Sequence, residues 1–163
     1  KLYWGREYEI YDDEGIRIGY CSSAWIMADM NSHKPVIPSK VEGLTDFPVQ
    51  NSKLVFGSRC GKLKTTSLEE LGHPVLSKYG DYSELDWNNH VNNTRYIAWV
   101  CDAVNKAGYD PSTITDFEIN YISEVKLGEK VDLYVKKNDN IINVYGFRDD
   151  GSGVFVTELA LCN

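Results

Sequence analysis

The chain has 163 residues, of which 42% are hydrophobic and 25% are charged, and its formal net charge is −7 at pH 7. This length and composition suit one globular domain, or two small ones with strain, and argue against disorder. An acidic chain is a poor match for nucleic acid because phosphate binding needs a basic surface, and no apolar run approaches the roughly 20 residues that cross a bilayer. We therefore expect neither nucleic acid nor membrane as a partner.

The four cysteines are far apart and form no C-x-x-C pair; they are Cys21, Cys60, Cys101 and Cys162. This spacing argues against a zinc site and against a disulfide framework. We expect reduced thiols in a cytosol-like compartment, with no metal and no cofactor.

The first 30 residues are predicted to form a hairpin of long strands. Tyr8 and Ile10 alternate with polar neighbours, an Asp-Asp-Glu-Gly turn occupies 12–15, and the alternation resumes over 16–20 and continues extended to 27. No helix is predicted in this part of the chain.

Residues 31–75 are predicted to be a connector with short helical turns, because prolines and glycines interrupt any long element. Leu54-Val55-Phe56 is expected to be a short buried piece, and Ser67 is expected to cap a helical turn. Between residues 31 and 66 there are six basic and two acidic residues, against 11 and 22 in the rest of the chain. This basic middle segment is either a solvated loop or a docking strip for an acidic partner.

Residues 76–163 are predicted to fold as one strand, one long helix and then an antiparallel meander. The helix is expected over about 93–107, since its apolar positions recur every three or four residues and so share one buried face. These positions are Tyr96, Ile97, Val100, Ala103, Val104 and Ala107. The predicted strands are 76–82, Ile114–Glu124, Glu129–Lys137, Ile141–Phe147 and Val154–Leu161. This order predicts an α+β fold in which a curved antiparallel sheet wraps around the helix, as in the hotdog fold.

Three different polar side chains stand at alternate positions just before the predicted helix: Asp86, Asn88 and His90. In an extended segment alternate side chains share one face, so we expect all three to converge. The unpaired N–H groups of the helix start can hold a carbonyl oxygen as it becomes negatively charged. The alternative is purely structural, with Asp86 in an Asx-turn and Asn92 or Asn93 as helix cap. We favour capping for the last two and function for the first three.

Residues 85–99 resemble the motif of acyl–acyl-carrier-protein (acyl-ACP) thioesterases, D-x-N-x-H-V-N-N followed by Tyr-Ile. Residues 75–163 resemble the whole C-terminal hotdog of that family. The N-terminal residues similar to the second part of its N-terminal hotdog are Trp4, Arg6, Tyr8, Glu9, Gly19 and 22–27. A looser form of the motif, D-x-x-x-H-V-N-N, also occurs in acyl-CoA thioesterases, so it fixes the fold better than the carrier.

The resemblance implies a tandem hotdog protein whose N-terminal unit is incomplete here. Residues 1–30 would be the last strands of that unit, 31–75 a linker, and 76–163 the catalytic hotdog. A bare hairpin that extends a single sheet is the alternative. Because the chain begins with Lys1 rather than Met, we expect that an N-terminal piece has been removed or left out. No signal or transit segment is visible in the sequence.

Carried over by position, the resemblance implies Asp86, Asn88 and His90 as catalytic, with Glu124 from a Tyr-x-x-Glu pattern at 121–124. The next residue is a cysteine in plant members and has been proposed as a nucleophile; here it is Val125. Residues expected to contact substrate are Val91, Asn92, Asn93, Trp25 and Met27.

The resemblance implies hydrolysis of fatty acyl-ACP to free fatty acid and carrier protein, which ends fatty acid synthesis. The alternatives are an acyl-CoA thioesterase and a hotdog protein that binds acyl chains without catalysis. The expected partner is acyl carrier protein, and a homodimer is left open. The expected location is the bacterial cytoplasm, with the plastid stroma as alternative.

Overall fold

The computed structural model describes residues 3–32, 34–44 and 61–162. Contacts between residues divide the chain into two compact units, Lys1–Gly61 and Lys62–Asn163. The segment Leu54-Val55-Phe56, predicted as a short buried piece, lies outside the described residues.

The described part of the N-terminal unit is an antiparallel sheet of three strands, β1 (Tyr3–Tyr11), β2 (Arg17–Ala28) and the short β3 (Pro35–Val36), in the order β1-β2-β3. A carboxylate oxygen of Asp12 closes the turn after β1, accepting the N–H groups of Glu14 at 3.0 Å and Ile16 at 2.7 Å. The predicted hairpin is therefore confirmed, and the Asp-rich turn is the physical reason for it.

Many large apolar side chains of this sheet are exposed within the chain. They include Tyr3, Tyr8, Ile10, Tyr11, Ile18, Tyr20, Trp25 and Ile26. No α-helix occurs among residues 3–32 and 34–44 to cover them. That this unit is the remainder of a second hotdog stays a prediction.

The C-terminal unit is built on a five-stranded sheet in the order β4-β6-β7-β8-β5, with every neighbouring pair antiparallel. Its strands are β4 (Leu76–Tyr79), β5 (Ile114–Tyr121), β6 (Lys130–Asn138), β7 (Ile141–Phe147) and β8 (Gly153–Leu161). All five predicted strands of this part are confirmed. Two end sooner than predicted, since β4 stops at Tyr79 and β5 at Tyr121.

The helix α1 (Asn93–Lys106) packs on this sheet. Its buried residues are Tyr96, Trp99, Val100, Ala103 and Val104, which join the strands in one apolar core. The side chain of Asn92 caps the start of the helix by accepting the Thr94 N–H at 2.9 Å. After the end of the helix, Gly108 adopts a left-handed φ of 91°, which ends the helical path. One helix against an antiparallel sheet is the predicted α+β hotdog arrangement.

A second, smaller apolar cluster lies on this sheet and includes Tyr134, Tyr145 and Val156, with Leu63, Leu68, Leu71 and Phe147 packed against it. The segment 63–71 therefore belongs to the C-terminal unit, and the N–H of Leu63 donates to the side chain of Asn120 at 2.8 Å. A cavity of about 270 Å³ lies here, lined by Thr65, Thr66, Ile122, Tyr145, Phe147, Gly153, Phe155 and Val156.

Candidate active site

The segment that precedes α1 forms a tight turn rather than an extended strand. Leu85 pairs with Val91 across the turn, and the Asp86 N–H donates to the His90 carbonyl at 2.8 Å. Within the turn, a carboxylate oxygen of Asp86 accepts the N–H groups of Asn88 at 2.8 Å and His90 at 3.3 Å. Asn89 takes a left-handed φ of 61°, which Asn tolerates better than most residues.

This geometry corrects the expectation that residues 86, 88 and 90 share one face of an extended segment. Asp86 makes the Asx-turn that was the structural alternative, and its half-buried carboxylate is engaged by backbone amides. The side chain of Asn88 is exposed, with no hydrogen-bond partner in the described ranges. Of the three side chains, that of His90 alone contacts the loop that carries Glu124. The catalytic roles of all three stay predictions.

His90 meets Glu124, which belongs to the loop between β5 and β6. The imidazole Nε2 of His90 lies 3.2 Å from Oε2 of Glu124, and the two side chains expose 23% and 66% of their surface. The backbone enforces this contact, because His90 pairs with Lys126 and the Val91 N–H donates to the Val125 carbonyl at 2.8 Å. A half-buried imidazole thus faces an accessible carboxylate.

Tyr96 binds the same loop from the core side. Its phenol oxygen accepts the Val125 N–H at 3.2 Å, and the ring is 2% exposed. Burial raises the pKa of Tyr96 to about 12, so the phenol is neutral at physiological pH. The apolar spacing of the helix predicts that this tyrosine lies in the core, but no sequence pattern indicates its hydrogen bond.

Arg148 is a second residue that sequence reasoning missed. It follows β7, and its guanidinium contacts the loop through Ser123, Glu124 and Glu129. A single arginine before an Asp-Asp-Gly-Ser-Gly turn reads as surface charge, so no sequence signal marked it.

The residues predicted to contact substrate divide between the two units. Val91 is 2% exposed and packs in the core, and its backbone N–H donates to the Val125 carbonyl. Asn92 is the helix cap, and the Asn93 carbonyl accepts the Tyr121 hydroxyl at 2.9 Å. For the Asn93 N–H no acceptor is found among the described residues, as expected at a helix start. These contacts with substrate stay predictions.

Trp25 and Met27, the other two predicted substrate contacts, lie on β2 in the N-terminal unit. Trp25 is exposed, and its indole N–H donates to Ser23 at 2.9 Å. Arg6 lies 5.5 Å from the Trp25 ring centre. A role in binding an acyl chain stays a prediction for both.

The described cysteines do not enter this site. Cys101 is a thiol on α1, where burial raises its pKa, and Cys21 and Cys162 are exposed. Val125 is fully buried beside Glu124. No group of three potential metal ligands is found among the described residues.

The described residues include no helix that is both long and apolar enough to span a membrane.

The arrangement can carry out proton transfer on a bound substrate. Glu124 is open to water and His90 is at hydrogen-bond distance from it, so the pair can take a proton from water and return it to a leaving group. The Asn93 N–H, at the positive end of α1, can stabilise a developing oxyanion. Asp86 is less available as a base because backbone amides occupy its carboxylate.

Comparison with known proteins gives one family match. Residues 75–153 match the family model described as the acyl-ACP thioesterase C-terminal domain. No curated protein sequence matches the chain.

Solved structures share the fold. An acyl-ACP thioesterase from Bacteroides thetaiotaomicron is 24% identical with a TM-score of 0.74, and the match covers 99% of this chain and 63% of that protein. The 12:0-ACP thioesterase from Umbellularia californica is 18% identical with a TM-score of 0.76, over 97% and 62% of the two chains. This chain thus spans less than two thirds of either relative.

A Staphylococcus aureus protein solved in complex with CoA is 19% identical, with a TM-score of 0.50, over 54% of this chain and 73% of that one.

Proposed function

We propose, from the premise that residues 75–153 match the family model of the acyl-ACP thioesterase C-terminal domain, that this chain hydrolyses fatty acyl thioesters of acyl carrier protein. The reaction takes an acyl thioester and water to a free fatty acid and the carrier thiol. The observation that carries the proposal is the 3.2 Å contact between His90 and Glu124 in the matched region.

In the proposed mechanism Glu124 and His90 activate water. Water attacks the thioester carbonyl carbon while the carboxylate of Glu124 accepts its proton. The carbonyl oxygen becomes negative and is held by the Asn93 N–H, with Asn88 or His90 as a further donor. The carbon–sulfur bond then breaks, and the proton passes through His90 to the leaving sulfur. Glu124 suits this role better than Asp86, because its carboxylate is paired with the imidazole of His90, whereas backbone amides occupy the carboxylate of Asp86.

Direct attack by a carboxylate is the other route that the site allows. The carboxylate of Glu124 or Asp86 would attack the carbonyl carbon, the carrier would leave as its thiol with a proton from His90, and water would then open the acyl anhydride. Single turnover in ¹⁸O-labelled water detects an anhydride that opens at the protein carbonyl carbon, because that opening leaves ¹⁸O in the carboxylate, whereas general-base catalysis leaves the protein unlabelled. Mass spectrometry of the peptides that contain Glu124 and Asp86 reads the difference.

A second candidate is hydrolysis of acyl-CoA. It is favoured by the fold shared with the Staphylococcus aureus protein that was solved with CoA. The basic middle segment favours the carrier protein, since its four described lysines are all exposed and carrier proteins are acidic; they are Lys34, Lys40, Lys62 and Lys64. Rates on matched acyl groups presented on the two carriers decide between them.

For its setting we propose the cytoplasm of a bacterium, with the plastid stroma as alternative, and assembly as a homodimer. Light scattering of the purified protein tests the assembly.

The deciding experiment is release of free fatty acid from a panel of acyl-ACP substrates of increasing chain length, followed by mass spectrometry. It should use this chain and the longest form of the gene that contains it. We expect release that depends on both His90 and Glu124. Release no faster than the spontaneous rate from both carriers would refute hydrolysis and leave the acyl-binding alternative.

A further inference from the structure

Arg148 reaches the loop that carries Glu124 at three points. Its Nη1 donates to the Ser123 hydroxyl at 2.8 Å, and its Nη2 donates to the Glu124 carbonyl. Its Nε and Nη2 each lie 3.4 Å from Oε2 of Glu129. One guanidinium therefore binds both ends of the loop at 122–129.

The groups that Arg148 contacts are themselves fixed. The Ser123 hydroxyl donates to the Gly153 carbonyl at 2.8 Å, and Oε2 of Glu129 accepts the Lys126 N–H at 3.0 Å. Arg148 exposes 21% of its side chain and Glu129 37%, so this ion pair is better shielded from water than an ordinary surface pair.

We infer that Arg148 is a positioning residue for Glu124, an inference that rests on the proposed function. The side chain of Glu124 is 66% exposed, and in the described part of the chain its carboxylate has one ion-pair partner, His90. Packing therefore does not hold the carboxylate in place. The position of the carboxylate therefore depends on the backbone of the loop. Arg148 holds that backbone directly, because its guanidinium donates to the Glu124 carbonyl. A displacement of about 1 Å in a catalytic group can cost roughly a hundredfold in rate.

The chemistry of the side chain explains why arginine is needed. The planar guanidinium presents five donors in a rigid fork, which serve Ser123 and Glu124 on one side and Glu129 on the other. Lysine keeps the charge but is a point donor on a flexible stem, and it cannot hold both sides at once.

Arg148 also stabilises its own hairpin. Its N–H donates to the Ser152 carbonyl at 3.0 Å, and Nη1 lies 3.4 Å from the Ser152 hydroxyl. A general loss of stability in an Arg148 variant would therefore lower activity for another reason, and the test must separate the two.

The kinetic test is Arg148→Lys alone and combined with Glu124→Gln. We expect Arg148→Lys to lower kcat by about ten- to a hundredfold with little change in KM. In the Glu124→Gln background the same change should have almost no effect, because there is no carboxylate left to position. An equal effect in both backgrounds would assign Arg148 a structural role and overturn the inference. The matched control is Arg17→Lys, whose arginine pairs with Glu9 in the N-terminal unit.

A spectroscopic test does not depend on turnover. The ¹⁵N resonance of His90 Nε2 should shift in Glu124→Gln as the contact with the carboxylate is lost. Arg148→Lys should shift it in the same direction, and an unchanged resonance in a folded variant would contradict the inference. If Arg148→Lys does not fold, Glu129→Gln tests the same clamp with the arginine retained, and a smaller shift is expected. If the wild-type protein were inactive on all thioesters, the proposed function would be refuted. The ¹⁵N resonance of His90 would still show whether Arg148 positions Glu124.

Discussion

The imidazole Nε2 of His90 lies 3.2 Å from Oε2 of Glu124, although 34 positions of chain separate the two residues. The contact depends on two backbone pairings, between His90 and Lys126 and between Val91 and Val125. The segments that carry the carboxylate and the imidazole are therefore paired through their backbones, so a movement of either segment would shift both side chains.

Glu124→Gln and His90→Gln should each lower turnover of an acyl thioester by roughly a hundred- to ten-thousandfold, since each removes a proton-transfer group. Both side chains are at least partly exposed, so the melting temperature should change little. Steady-state kinetics with calorimetry on the same samples provides the measurement. Near-normal rates in both variants would contradict the proposed roles.

Asp86→Ala should destabilise the protein by about 0.5–1.5 kcal/mol, because two backbone N–H groups lose their acceptor at a site that water can reach. Asp86→Asn keeps one side-chain oxygen as an acceptor, so it should preserve most of the turn. If the Asp86 carboxylate is catalytic, Asp86→Asn remains folded but loses activity. If its role is to shape the turn, Asp86→Asn retains activity. Urea denaturation and kinetics on the pair distinguish the two.

Tyr96→Phe should cost about 1–3 kcal/mol in the free energy of unfolding, because the buried Val125 N–H loses its acceptor. Turnover should fall as well, since Val125 adjoins Glu124. Urea denaturation measures the first effect. A stability equal to wild type would show that the amide finds another partner.

Tyr96 also predicts a pH dependence. Burial raises its pKa from 10.0 to about 12, so the folded protein favours the neutral phenol more than the unfolded chain does. This contribution to stability is complete below pH 10 and is lost as the pH rises towards 12. The urea midpoint of wild type should fall more over this interval than that of Tyr96→Phe, which lacks the group.

Gly80→Ala should disturb the loop from its other side. A Cβ at this position would collide with the Lys126 carbonyl and lie 3.1 Å from a methyl carbon of Val91. We expect a loss of roughly 1–3 kcal/mol and reduced turnover, measured by denaturation and kinetics. Gly19→Ala is the control, because its Cβ would make only an ordinary contact of 3.7 Å with Ile10. If Gly80→Ala changed neither stability nor turnover, the loop would have to move aside for the added methyl group without loss of function.

Reversal of Lys62 and Lys64 to Glu should raise KM for acyl-ACP far more than KM for acyl-CoA. Both lysines are exposed in the C-terminal unit, so their removal should leave the fold intact. Equal effects on the two carriers would remove the docking role. Kinetics at two salt concentrations adds a check, because the acyl-ACP effect should shrink as salt rises.

The sequence predicted those elements whose pattern is periodic. Helix α1 begins at the predicted Asn93, and β7 has the predicted bounds, because burial of one face forces apolar residues into regular spacing. Ile97 is the exception, as it is exposed although its spacing placed it on the buried face. The pairing of β5 with the distant β8 was not predicted, since single strands carry no record of their partner.

The turn at 86–90 shows where the pattern misleads. Polar residues at alternate positions fit a strand and a turn equally well. Asp86 settles the outcome by capturing two amides, and Asn89 by taking a positive φ. The contact between His90 and Glu124 followed from the family resemblance. The support from Arg148 and Tyr96 did not, because it depends on side chains meeting across distant segments.

Val125 has a consequence for where an acyl group can reside. It stands at the position where the family resemblance implies a cysteine in plant members, and its side chain is fully buried in the core. Transthioesterification onto the protein has no sulfur acceptor at this position, so an acyl adduct could not form there through sulfur. A reagent that alkylates thiols therefore has no target at this position, and it cannot be used there to separate release of the carrier from attack by water.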